Sequence, residues 1–122
     1  MKKLVTFICL LSVSTLALAG LLVPLLSGVS ATGAGTSVNM SQYPNRWYQA
    51  TLNGASSVSA TVEVDGSTDN TNWVPIVTIT LPNSITGAKT DAVATVQTAP
   101  YVRGNLIAIS GVGATVTLTG GQ

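Results

Sequence analysis

From Arg46 onward the chain alternates rather than spirals. Ser57 to Val64 places Val58, Ala60, Val62 and Val64 on one side and Ser57, Ser59, Thr61 and Glu63 on the other. That is the period of two of a half-buried strand. Arg46 to Leu52 and Trp73 to Leu81 carry the β-branched and aromatic residues that suit strands. The second of these is the longest run and predicts a central strand, with Pro75 marking a bulge or an edge position in its first part. Asp91 to Thr98 predicts a further strand with Val93 inward, and Val96 as a second inward candidate. Tyr101 to Ser110 and Ala114 to Thr119 predict a final pair joined by Gly111-Val112-Gly113.

The punctuation between these runs is turn chemistry. Gly66-Ser67-Thr68-Asp69-Asn70-Thr71-Asn72 separates two β-rich runs and predicts a hairpin, with Trp73 as an apolar anchor where the second strand begins. Asn53-Gly54 is a second turn signal, and Pro82 to Thr90 reads as a polar loop. No amphipathic helix is predicted after residue 30. Short strands at this spacing predict an all-β fold, an antiparallel β-sandwich (jelly-roll or Ig-like) of about six to eight strands.

The front of the chain follows a different pattern. Lys2 and Lys3 precede an uncharged, mostly apolar run from Leu4 to Leu26. Its first part, closed by Ala17-Leu18-Ala19, has the form of a secretory leader. The whole run is 23 residues long, enough to cross a bilayer as a helix, with Pro24 near its end as a kink or stop. A start near Val23 is a third reading. Ser27 to Ser37, rich in Gly, Ala, Ser and Thr, reads as an extended mobile arm or linker. The expected organisation is an apolar segment over 1–26 (leader, membrane segment or arm), an arm over 27–45 and a β-sandwich over 46–122.

Composition narrows the chemistry. Charged residues are 7% of the chain, against roughly 25% in an ordinary soluble domain. From Leu4 onward three basic and four acidic residues leave a formal charge of −1. Nucleic-acid binding needs clustered Lys and Arg, so it is not expected. There is no histidine, which removes the commonest general base and metal ligand. The single Cys9 lies in the apolar run and reads as a small hydrophobe. A surface of Thr, Ser, Asn, Gln and Gly suits an extracellular β domain or a subunit packed in a larger assembly.

Few residues stand out as sites. Asp65, Asp69, Asn70 and Asn72 carry oxygens of the kind that bind calcium, but the spacing is not that of a calcium loop, and turn formation is the favoured reading. Glu63 and Asp65 share a strand face. A carboxylate pair can run glycoside hydrolysis, but no cleft signature accompanies it, and guarding a sheet edge is the favoured role. Arg103 sits among apolar neighbours and calls for a carboxylate or carbonyl partner, with Asp69 and Asp91 as candidates. Trp47, Tyr48, Trp73 and Tyr101 are candidates for a sugar-stacking platform. Adjacent Trp47 and Tyr48 must face opposite sides of their strand, so one ring is left for an interface. Trp73, Asp69, Tyr101 and Arg103 are expected to be structural, and no catalytic residue, cofactor or metal is expected.

Some of these residues also carry a resemblance. The stretch Leu25 to Gly35 resembles the opening of small virion proteins of tailed bacteriophages. The aromatic strand Trp47-Tyr48-Gln49-Ala50-Thr51, the Gly66–Trp73 turn, Tyr101-Val102-Arg103 and Ile109 to Val116 continue it across about residues 22–120. Residues 1–21 are extra to that pattern. The resemblance implies a non-enzymatic β-sandwich of the virion, decorating or cementing the head or forming part of the tail. Its partners would be other virion proteins and copies of itself. The same turn and Tyr-Val-Arg strand also resemble discoidin-like sandwiches that bind sugars or lipids. That leaves two alternatives, a secreted or membrane-tethered carbohydrate-binding module, and a surface filament subunit that retains residues 4–26 as a membrane contact.

Overall fold

The computed structural model describes residues 22–84, 89–95 and 98–121. Nine strands occur among them, and no helix: β1 (Leu22–Val29), β2 (Gly33–Ala34), β3 (Val38–Asn39), β4 (Arg46–Asn53), β5 (Ser56–Ser67), β6 (Val74–Ser84), β7 (Lys89–Thr95), β8 (Tyr101–Val112) and β9 (Thr115–Gly121). They form two antiparallel sheets, one in the order β1-β9-β4-β7 and one in the order β2-β8-β5-β6, with β3 also paired to β8. The fold is the antiparallel β-sandwich that the alternation predicts.

The core is the inward set of each strand. Tyr48, Ala50 and Leu52 of β4 and Val116 and Leu118 of β9 face Val58, Ala60, Val62 and Val64 of β5 and Val102 and Leu106 of β8. Gly104 lies on the inward side of β8 because nothing larger fits. A Cβ there would stand 2.7 Å from Leu26 and 2.9 Å from Leu118.

The front of the sandwich differs from its sequence pattern. Leu22 to Val29, expected as the end of an apolar segment and the start of an arm, is a strand paired antiparallel to β9. The register shifts between Pro24 and Leu26, and this irregularity turns both Leu25 and Leu26 into the core. Pro24 is tolerated because β1 is an edge strand. Residues 27–45 are likewise not a free arm, since β2 and β3 both pair with β8 and Met40 is buried. The leader, membrane and alternative-start readings of residues 1–21, and Cys9, fall outside the described residues.

Connectivity brings two further corrections. β4 and β5 lie in different sheets, as do β8 and β9, so Asn53-Gly54 and Gly111-Val112-Gly113 carry the chain between layers. The expected pairing of the last two strands does not occur. Among the long strands described, β5 and β6 are consecutive and hydrogen-bonded to each other, and the 66–73 turn joins them as a hairpin. β6 is an edge strand rather than a central one, in keeping with Pro75, which falls at a register shift opposite Asp65. It begins at Val74, just past Trp73. β7 overlaps the strand expected over Asp91 to Thr98 but begins at Lys89, with Val93 in register opposite buried Tyr48, and Val96 lies outside the described residues.

Candidate interaction surface

The sandwich presents two outer faces. On the β2-β8-β5-β6 sheet, Asp65, Arg103 and Asn105 are matched to one another. The Asp65 carboxylate is buried at the bulge of β5, and its Oδ2 accepts from Arg103 Nε at 3.1 Å and Asn105 Nδ2 at 3.3 Å. Arg103 lies directly opposite Asp65 in the β5–β8 ladder. This register makes Asp65 the partner of Arg103, rather than Asp69 or Asp91. The guanidinium also lies over the Trp73 ring, 4.4 Å from its centroid, an arrangement favoured by the ring's negative face. Glu63 stands opposite Asn105. Because β5 runs between β8 and β6, Glu63 and Asp65 do not guard an edge.

Asp69 organises the hairpin turn. Its carboxylate accepts from the Ser67 hydroxyl at 2.9 Å, the Thr71 and Asn72 amides at 2.9 and 2.8 Å, and Asn72 Nδ2 at 2.7 Å. These donors, the Asn72 amide foremost, hold its carboxyl far below the ordinary carboxylate range. Asn70 takes the left-handed conformation at φ 59°, which Asn accepts more readily than most residues. The oxygens are used by the turn's own donors, as the turn reading expects. Beside it, a cleft of about 410 Å³ is floored by Val74, Pro75 and Ile76 and lined by no ionisable side chain.

One end of the sandwich is tied by Arg46, which the sequence pattern presents merely as the start of a strand. Its buried guanidinium donates from Nε to Tyr43 O at 2.6 Å, from Nη1 to Ala99 O at 2.6 Å and from Nη2 to Met40 O at 2.5 Å. Three carbonyls do the work of a carboxylate and join two loops to β4. Inward of it the Tyr48 hydroxyl is buried and finds no hydrogen-bond partner among the described residues. Burial raises its pKa, and the nearby Arg46 cation works against that rise.

The outer face of the β1-β9-β4-β7 sheet is different in kind. Trp47 points outward, between inward Arg46 and Tyr48, and is 41% exposed. The register runs Leu22, Gly121, Trp47 across three neighbouring strands, then Pro24, Thr119, Gln49 in the next outward row. Thr117 and Thr51 face each other further along, then Thr115 and Asn53. None of these side chains on β1, β9 and β4 is charged. Leu22 is 71% exposed, so two apolar side chains flank a glycine floor.

The four aromatic candidates therefore do not form one platform. Trp47 is on one outer face, Tyr48 is in the core, and Trp73 and half-buried Tyr101 belong to the opposite sheet and its turn. Leu22 escaped notice as a surface residue because it reads as part of the apolar run, and Pro24 was the signal for an edge strand there. Comparison with family models, curated proteins and solved structures returned no match to this chain.

Proposed function

We propose that this protein is a non-enzymatic structural subunit of a tailed-phage virion, a decoration or minor head protein that works through subunit contacts. The observation that carries this reading is the uncharged outer face of β1, β9 and β4, with Trp47 and Leu22 exposed on it. Uncharged polar side chains cost little to desolvate compared with Lys or Glu, and aromatic rings are enriched where proteins meet. The opposite face keeps Asp65, Arg103 and Asp69 in internal contacts, which suits a surface left facing water. The phage assignment itself rests on the resemblance of residues 22–120.

The test is physical association. Particles purified from the native source should contain the chain in stoichiometric amount, and particles stripped of it should rebind it saturably. A chain that is absent from particles and does not rebind would end this reading. Saturable binding of an oligosaccharide at Trp47 would replace it with the carbohydrate-binding module.

A further inference from the structure

We infer that β1 is an exchange strand: β1 of one copy of this chain leaves its own sandwich and takes the same seat, beside β9, in a second copy. The inference deepens the proposed role and rests on its premise that copies of this chain meet.

The seat is cut for this segment. Leu25 and Leu26 are both buried. A Cβ at Gly104 would stand 2.7 Å from Leu26, and one at Gly35 would stand 3.0 Å from Leu26 and 2.6 Å from the Leu25 carbonyl oxygen. Glycine at both positions keeps open the space that Leu26 fills. Leu25 lies on the other side of the seat, 3.7 Å from where a Cβ of Gly120 would stand. The core is incomplete without two leucines from a β1, and the β1 of a second copy supplies the same two.

β1 is held from one side. It is an edge strand, and β9 is its ladder partner. That ladder shifts register twice within eight residues. Along the other flank a cavity of about 420 Å³ opens between Pro24, Leu26 and Val29 and the following segment at Gly35, Thr36 and Val38. An edge strand with one irregular ladder can be replaced by an identical strand without disturbing the rest of its sheet.

The connection that follows is a hinge. Ser30, Ala31 and Thr32 carry the chain from β1 in one sheet to β2 in the other, and all three are exposed. Gly28 and Gly33 flank them at φ 57° and 141°, with nothing within 4 Å of where their Cβ atoms would stand. Rotation at these glycines meets no side chain. Fully extended, residues 28–33 span about 20 Å, enough to hand the strand to a neighbour. A short crossing that folds a terminal strand back on its own domain is the usual setting for such exchange. Exchange keeps the contacts of β1 the same in kind, so its cost is that of bringing copies together. An assembly that holds copies side by side removes most of that cost.

The test mixes two variants of the 122-residue chain under native conditions, both with Cys9→Ser. One carries Pro24→Cys and the other Thr119→Cys, positions that face each other in the β1–β9 ladder. Neither variant alone has an opposed pair of thiols, so a disulfide between them reports β1 seated on the other copy. With chains at about 10 μM and seated thiols at roughly millimolar effective concentration, it should form at least about tenfold faster than with Ser41→Cys in place of Thr119→Cys. A labelled peptide of residues 22–29 should also bind the wild-type chain in place of its own β1. The peptide with Leu25→Ala and Leu26→Ala should bind at least about 30-fold more weakly. Circular dichroism confirms that each variant folds. A mixed disulfide that forms no faster than the control, or a peptide indifferent to its two leucines, overturns the inference. Rebinding to stripped particles, measured separately, tells its failure from that of the proposed function. Chains that rebind particles without exchanging β1 leave the role standing alone, and chains that exchange β1 but ignore particles do the reverse.

Discussion

The two outer faces of the sandwich spend their polar groups differently. On the β2-β8-β5-β6 side, Asp65 is used by Arg103 and Asn105, Arg103 also covers Trp73, and Asp69 is used by its own turn. On the β1-β9-β4-β7 side, Trp47 and Leu22 project from a field of Thr, Gln and Asn with no charge among the described side chains. The first face keeps Asp65, Arg103 and Asp69 in bonds within the chain, while Val74, Ile107 and Val112 are exposed on its strands. The second exposes Trp47 and Leu22 with no charged side chain beside them among the described residues. The difference teaches where to look for a partner, because groups already satisfied internally gain little from binding.

If that contrast is right, substitutions on the internally matched side should cost stability, and substitutions on the open face should not. The largest loss is expected for Arg46→Ala at the end of the sandwich. It strands the carbonyls of Tyr43 and Ala99 and leaves Met40 O with the Tyr43 amide alone. At roughly 1–3 kcal/mol for each buried group left unpaired, partly relieved by water, we expect about 3–5 kcal/mol by urea denaturation. A loss under 1 kcal/mol would show that the three bonds do not tie the loops.

Asp65→Ala should come next. Breaking a fully buried pair costs about 3–5 kcal/mol. The Arg103 side chain is 26% exposed, so water takes up part of its charge. We expect about 2 kcal/mol, with the Trp73 fluorescence environment altered as the guanidinium loses its anchor.

Tyr48→Phe should move stability the other way. It removes a buried hydroxyl that has no described partner, and a gain of about 1 kcal/mol is expected. Its pH dependence has a definite sign. The folded-state pKa lies above the ordinary 10.0, so the contribution is intact below pH 10 and is lost as pH rises through the raised value. The alkaline limb of the stability profile should flatten in Tyr48→Phe.

Asp69→Asn tests the acid limb. The folded-state pKa lies below the ordinary 3.8, so the turn's contribution is present above that pH and is lost as pH falls toward the depressed value. The wild-type chain should lose stability below about pH 4 more steeply than the variant. The smallest effect on folding belongs to the open face. Trp47→Ser should change the stability of the isolated chain by less than about 0.5 kcal/mol, and a larger loss would mean that the ring is part of the fold.

The fold class was legible because alternation reports the core directly. Val58, Ala60, Val62 and Val64 are inward as spaced, and the Gly66–Trp73 turn is a hairpin. β1 was not legible. A continuous apolar run such as Leu21 to Leu26 has no period, and strand and helix cannot be separated on it. The sheet assignments were not legible either. A turn signal such as Asn53-Gly54 reports that the chain reverses, but not whether the next strand pairs or crosses to the other layer. The same limit hid the partner of Arg103, since only register brings Asp65 opposite it across 38 residues. Trp47 and Tyr48 show the reverse case. The strand period required their opposite directions, and the buried flanks Arg46 and Tyr48 decide that Trp47 is the outward ring.

The most direct measurement is hydroxyl-radical footprinting of the chain alone and in its native assembly, read at Trp47 and Trp73. The account predicts that assembly protects Trp47 strongly and leaves Trp73 unchanged. Equal oxidation of Trp47 in the two states, or protection confined to Trp73, would contradict it and move the contact to the opposite face.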